Sequence, residues 1–128
     1  TYPRIQGYLR EGPDDRSEPN DTCARPRPAR TGTLRGLTVK LHDTDWYRIS
    51  VPRGRTLTVT LSFLQSEGDI DAKLYSRCAP EPLAISEGTG DTEVLTFTNR
   101  GRGPVPLSWQ VYLASDTRAS YDMAVSIR

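Results

Sequence analysis

Along Thr56–Phe63 the chain alternates without a break: Leu57, Val59, Leu61 and Phe63 are apolar, and Thr56, Thr58, Thr60 and Ser62 between them carry hydroxyls. A backbone whose side chains reverse direction at every residue puts these sets on opposite faces, so the segment reads as a half-buried β-strand. The same period returns at Ile70, Ala72 and Leu74, at Leu107, Trp109, Val111 and Leu113, and at Tyr121, Met123, Val125 and Ile127. Residues 33–39, 46–51 and 93–98 complete a set of seven to eight strands, divided by turn residues at 52–54, 88–91 and 99–104. No stretch sustains a helical period. The expected fold is all-β: an antiparallel, jelly-roll-like sandwich whose two sheets bury their apolar stripes against each other.

The length of 128 residues supports one core and not two. A hydrophobic fraction of 35% and a mean hydropathy of −0.59 suit sheets with one wet face each. The formal net charge of +1 provides no overall field to hold nucleic acid or an anionic membrane, so no nucleic-acid partner is expected. No apolar run is long enough to span a bilayer, and no membrane insertion is expected either. Apart from Lys40 and Lys73 every basic residue is arginine, which reads as the imprint of a GC-rich genome before it reads as recognition. Residues 1–16, with Pro3, Gly7, Gly12 and Pro13, lack periodicity and form an extended arm or linker ahead of a domain over 17–128. Tyr2, Ile5, Tyr8 and Leu9 are apolar enough to lay that arm on this domain or on a neighbour. Residues 25–30, where arginine alternates with Pro26 and Pro28, read as an exposed, polyproline-like loop outside regular structure.

Cys23 and Cys78 are the only cysteines, and their spacing fits neither a redox pair nor a zinc site. A disulfide between them would close roughly 55 residues, stabilise by about 4 kcal/mol and imply an oxidising compartment; two buried thiols are the alternative. His42 is the only histidine, and any hydrolytic triad would have to use it. It adjoins Asp43, no nucleophile elbow accompanies it, and it reads as a surface residue of a protein that is not an enzyme. Asn20-Asp21-Thr22 is formally a glycosylation acceptor, relevant only in a eukaryotic secretory pathway. Trp46 and Trp109 are expected in strand packing. Tyr47, Tyr75 and Tyr112 are read as opposite in phase to their strands' apolar stripes. One or more should therefore lie exposed on a sheet face, as a ligand surface or in ordinary cross-strand pairs.

Three segments follow one another in order: Glu18-Pro19-Asn20-Asp21-Thr22, then Asp43-Thr44-Asp45-Trp46-Tyr47-Arg48-Ile49-Ser50-Val51-Pro52-Arg53-Gly54, then Gly68-Asp69-Ile70-Asp71-Ala72-Lys73-Leu74-Tyr75. Together with the closing strand at 121–127 they resemble the bacterial pre-peptidase C-terminal domain, over about residues 17–128. The resemblance implies a jelly-roll-like, non-catalytic accessory module of secreted bacterial proteins, typically proteases, similar to the collagen-binding domain of clostridial collagenases. It places the chain outside the cell or on its surface, aiding substrate binding, secretion or assembly. The implied partners are extracellular protein or polysaccharide, a parent protease, or an assembly. A structural subunit joined to its neighbours through the N-terminal arm is the rival reading.

The resemblance also implies calcium, held by Glu18, Asn20 and Asp21 from the linker and by Asp43 and Asp45 from the loop before a strand. Hard carboxylate and amide oxygens are what that ion takes. Arg16 stands where relatives can carry a further acidic ligand. The same residues also serve turns, Asn20 or Asp21 closing an Asx-turn and Asp45 capping a strand entry. Asp69 and Asp71 are read as structural, the first in a turn after Gly68 and the second on the outer face of its strand.

Overall fold

Nine strands and no helix make up residues 25–77, 79–115 and 117–128, which the computed structural model describes. They are β1 (Arg27–Pro28), β2 (Gly32–Lys40), β3 (Asp45–Val51), β4 (Thr56–Phe63), β5 (Ile70–Tyr75), β6 (Ala84–Ser86), β7 (Thr92–Thr98), β8 (Val105–Leu113) and β9 (Arg118–Ile127). One sheet has the order β1-β3-β8-β5-β6 and the other β2-β9-β4-β7. From β2 to β9 the chain crosses between sheets at every step except β5 to β6. This shuttling is the jelly-roll-like sandwich expected from the alternation.

The registers fix where the connections fall. Leu57 pairs with Ile127, Thr56 with Thr98 and Val51 with Val105, so the β3–β4 and β7–β8 loops meet the end of β9 at one pole of the sandwich. Gly32 pairs with Val125 and Leu74 with Ala84, which brings the β1–β2 and β5–β6 connections to the same pole. The β2–β3, β4–β5, β6–β7 and β8–β9 connections lie at the other.

The core is the set of inward stripes. Leu57, Val59 and Leu61 of β4 and Met123 and Val125 of β9 face Ile70, Ala72 and Leu74 of β5 and Leu107, Trp109 and Val111 of β8. The Trp109 ring is fully buried, stacks on Tyr47 with centroids 5.7 Å apart, and directs its indole N–H at the Met123 sulfur, 3.4 Å away. A register shift between Leu34 and Leu37 marks a bulge in β2. Gly36 occupies it with φ of 69°, a conformation that side-chain-bearing residues adopt at a cost, and its N–H donates to Asp122 Oδ1.

Two expectations change. Residues 25–30 are not wholly irregular: Arg27–Pro28 pairs in parallel with Tyr47 and Arg48 of β3. Pro28 is tolerated there because β1 is an edge strand, where no further strand asks for its missing N–H. Tyr47 is not on an outer face. It shares its phase with Ile49 and Val51 and is wholly buried, while Trp46 takes the outward phase and is half-buried.

Candidate functional site

Asp45 opens β3 with its side chain turned inward, 1% exposed. Its Oδ2 accepts from the Tyr121 hydroxyl at 2.6 Å, and the hydroxyls of Tyr121 and Tyr47 lie 2.7 Å apart. The chain Tyr47, Tyr121, Asp45 thus ties β3 of one sheet to β9 of the other through the dry interior. Burial, and then the Asp45 charge, push the Tyr121 hydroxyl well above the ordinary tyrosine range, so it stays a donor. Asp43 sits in the tight turn between β2 and β3, its N–H donating to the Lys40 carbonyl at 3.1 Å. His42 is exposed in the same turn with a left-handed φ of 64°. Glu18, Asn20, Asp21, Cys23 and Cys78 lie outside the described residues, so the linker half of the expected calcium site and the expected disulfide do too.

Tyr75 and Tyr112 lie on the outer face of the β3-β8-β5 sheet, both half-buried. The Tyr75 ring packs against Trp46, centroids 5.5 Å apart. Lys73 Nζ lies 5.4 Å from the Tyr112 ring centre, and the Tyr112 hydroxyl donates to Glu87 Oε2 at 2.9 Å. Burial, then Glu87, hold that hydroxyl above its usual range. Both tyrosines are therefore engaged in cross-strand and loop contacts.

Among the described residues one cluster of acids could hold a metal ion, and the sequence did not single it out as a site. Asp69, Asp71 and Glu93 each offer a carboxylate oxygen within 4.8 Å of the others. Asp69 and Asp71 come from the β4–β5 loop and the start of β5. Glu93 comes from β7, on the inward phase that continues as Leu95 and Phe97. The short β6 pairs with Ala72, Lys73 and Leu74 only, which leaves the sheet edge open beside Asp71. Glu93 is 3% exposed and is held by the Ser86 hydroxyl and by the Gly88 N–H, at 3.1 Å to Oε1 and 3.0 Å to Oε2. At Gly88 a Cβ would come within 3.3 Å of Glu93 Oε2, so a side chain there would have to push the carboxylate back by a few tenths of an ångström.

Asp71 is 5% exposed. Burial first, then the charges of Asp69, Glu93 and Glu87, raise its carboxyl to about 7, and a side-chain hydrogen bond that protonated Asp71 donates to Asp69 adds to the rise. The Oδ1 atoms of Asp69 and Asp71 are buried with no hydrogen-bond partner among the described residues. Three carboxylates at this spacing, with two orphaned oxygens, can share a proton or ligate a divalent cation. Glu93 carried one sequence signal: an acid in phase with an apolar stripe is costly unless something partners it.

The proton alternative has a definite sign. Between about pH 4 and 7 the folded chain holds a proton on Asp71 that the unfolded chain does not, so stability falls as pH rises through that window. In chelator, thermal melts should therefore show the wild type losing about 1 to 2 kcal/mol between pH 5 and pH 8, after allowance for solvent screening. Asp71→Asn should flatten the slope and be the more stable protein at pH 8. A wild-type profile that is flat, or rises, across this window excludes the buried shared proton.

No family model matches the chain, and no curated protein is similar to it in sequence. Solved structures are similar. The pre-peptidase C-terminal domain of collagenase from Bacillus anthracis matches with a TM-score of 0.61 at 16% identity, over 77% of this chain and 92% of that one. Aeromonas hydrophila PliG, a periplasmic lysozyme inhibitor of g-type lysozyme, matches with a TM-score of 0.60 at 16% identity, over 79% and 94%. At such identity the match concerns the backbone, and it agrees with the resemblance carried by the sequence segments. This chain has the β-sandwich fold of a pre-peptidase C-terminal domain.

Proposed function

We propose that the chain is a non-catalytic accessory domain of a secreted bacterial protein, a protease foremost, which it attaches to insoluble extracellular protein or polysaccharide. The observation that carries this reading is the coincidence of fold and sequence segments. Residues 43–54 form β3 with its flanking turns, residues 68–75 form β5, and both strands flank β8 in the fold shared with the collagenase domain. Co-sedimentation of the full chain with insoluble protein and with insoluble polysaccharide should deplete it from solution. A chain left wholly in the supernatant by both, and by its parent enzyme, is a spacer. The almost equal match to PliG supports a second reading, an inhibitor of an extracellular enzyme. Lowered activity of a g-type lysozyme on titration with the chain would favour it.

Calcium belongs to the same proposal. Asp69, Asp71 and Glu93 fit such an ion through their spacing and the two unpartnered buried oxygens. Glu18, Asn20, Asp21, Asp43 and Asp45 fit it by the resemblance. Millimolar calcium should raise the melting temperature over that in chelator, by up to about 3 kcal/mol of stability at a hundredfold excess over Kd. Loss of that rise in Asp71→Asn assigns the ion to the acidic triad, and loss in Asp43→Asn assigns it to the β2–β3 turn. A melting temperature that calcium does not move removes the ion from the proposal.

A further inference from the structure

Shuttling between sheets separates charge along the molecule. Arg53 and Arg55 lie in the β3–β4 loop and Arg100 and Arg102 in the β7–β8 loop, all four exposed. The loops are locked together: Gly54 N–H donates to the Asn99 carbonyl and Asn99 N–H to the Arg55 carbonyl, both at 2.9 Å. The side chain of Asn99, 1% exposed, donates to the carbonyls of Val51 and Gly103 at 2.9 Å and accepts from Gly101 N–H at 2.9 Å. Arg128 joins them, paired through its backbone with Thr56. Residues 48–62, 94–110 and 123–128 contain no Asp or Glu. Among the described residues the one acid at this pole is Glu81, in the β5–β6 loop. Asp43, Glu67, Asp69, Glu87 and Asp91 occupy the connections at the other pole, with Asp71 and Glu93 beside them.

We propose that the arginine pole is a binding surface for acidic polysaccharide, a glycan bearing repeated sulfate or carboxylate groups. This deepens the accessory reading by naming its ligand class. Guanidinium groups are planar forks that pair with oxyanions two bonds at a time. Four of them on two loops fixed by a buried asparagine are preorganised for such groups at a low ordering cost. What the loops lack selects among polyanions. They hold no aromatic side chain on which a base can stack, and no helix or ribbon to enter a groove, which disfavours nucleic acid. They hold no aromatic or large apolar anchor of the kind that dominates protein interfaces, which disfavours an acidic protein. The formal net charge of only +1 leaves recognition to this local cluster.

The test is titration of the full chain with heparin, polygalacturonate, neutral dextran, duplex DNA and polyglutamate in low salt. Two quadruple variants accompany it. One carries serine at Arg53, Arg55, Arg100 and Arg102, and the other carries serine at Arg25, Arg35, Arg48 and Arg118, also exposed. Both remove four positive charges, from +1 to −3, and circular dichroism and melting establish that each is folded. The expected result is binding to heparin or polygalacturonate that weakens tenfold or more in the loop variant and less than threefold in the control, with dextran not bound. Absence of binding to both acidic glycans, equal weakening in the two variants, or tighter loop-dependent binding of DNA or polyglutamate overturns the proposal. Sedimentation of the unsubstituted chain with insoluble protein is a separate readout, so failure here and failure of the accessory reading are told apart.

Discussion

Replacing Asp45 with alanine should destabilise the fold by about 3 to 5 kcal/mol, the sum of a lost charge-assisted hydrogen bond and a buried hydroxyl left without its acceptor. The Tyr121 hydroxyl is fully desolvated and donates to Asp45, while its other neighbour, the Tyr47 hydroxyl, has a proton of its own to place. Removing the carboxylate breaks the chain at its terminal acceptor, and the effect reaches both sheets because β3 and β9 belong to different ones. Asp45→Asn keeps an oxygen at that position and should cost about 1 to 2 kcal/mol. Tyr121→Phe removes donor and acceptor together and should fall between the two substitutions. Urea denaturation of the three variants measures the series. An alanine variant within 1 kcal/mol of the wild type would mean that the buried chain contributes no net stability.

Asn99→Ala should cost about 2 to 4 kcal/mol. Three side-chain hydrogen bonds to backbone groups disappear at once, the one to Val51 fully buried and the two to Gly101 and Gly103 partly so. Asn99→Asp should be no better: it still accepts from Gly101 but sets a carboxylate against the Val51 and Gly103 carbonyls, to which asparagine donates. Both variants keep all four loop arginines, yet with the loops unlocked they should lose part of the affinity for acidic glycan, measured below their melting temperatures. A fully stable alanine variant with loops unchanged in hydrogen exchange would show that the backbone pairing of Gly54 and Arg55 suffices.

The longer strands were legible because alternation is a local property. β4, β8 and β9 each carry four inward apolar residues at a period of two, and no other regular structure buries such a set on one face. β1 and β6 were not legible, because two and three residues hold no more than one and a half periods, and Pro28 argues against any strand but an edge one. Tyr47 was misplaced by assigning Trp46 to the interior, and the phase it shares with Ile49 and Val51 was the better guide. The acidic triad could not be read from spacing. Glu93 reaches Asp69 and Asp71 across from the other sheet, and nothing local to β7 announces which strand it faces. Asn99 looked like an ordinary turn residue, and its burial follows only from the meeting of two loops far apart in the chain.

Because successive connections fall at opposite poles, the charges of the described residues are set out along the strands, arginines gathered at one pole and carboxylates at the other. Beyond about 10 Å in 0.1 M salt the molecule's surroundings register almost nothing. Within that range a negatively charged surface exerts a torque on it, turning the guanidinium pole inward before any contact forms. A parent protein attached to the chain would then be presented in one orientation rather than many, and added salt would randomise that orientation before it released the molecule.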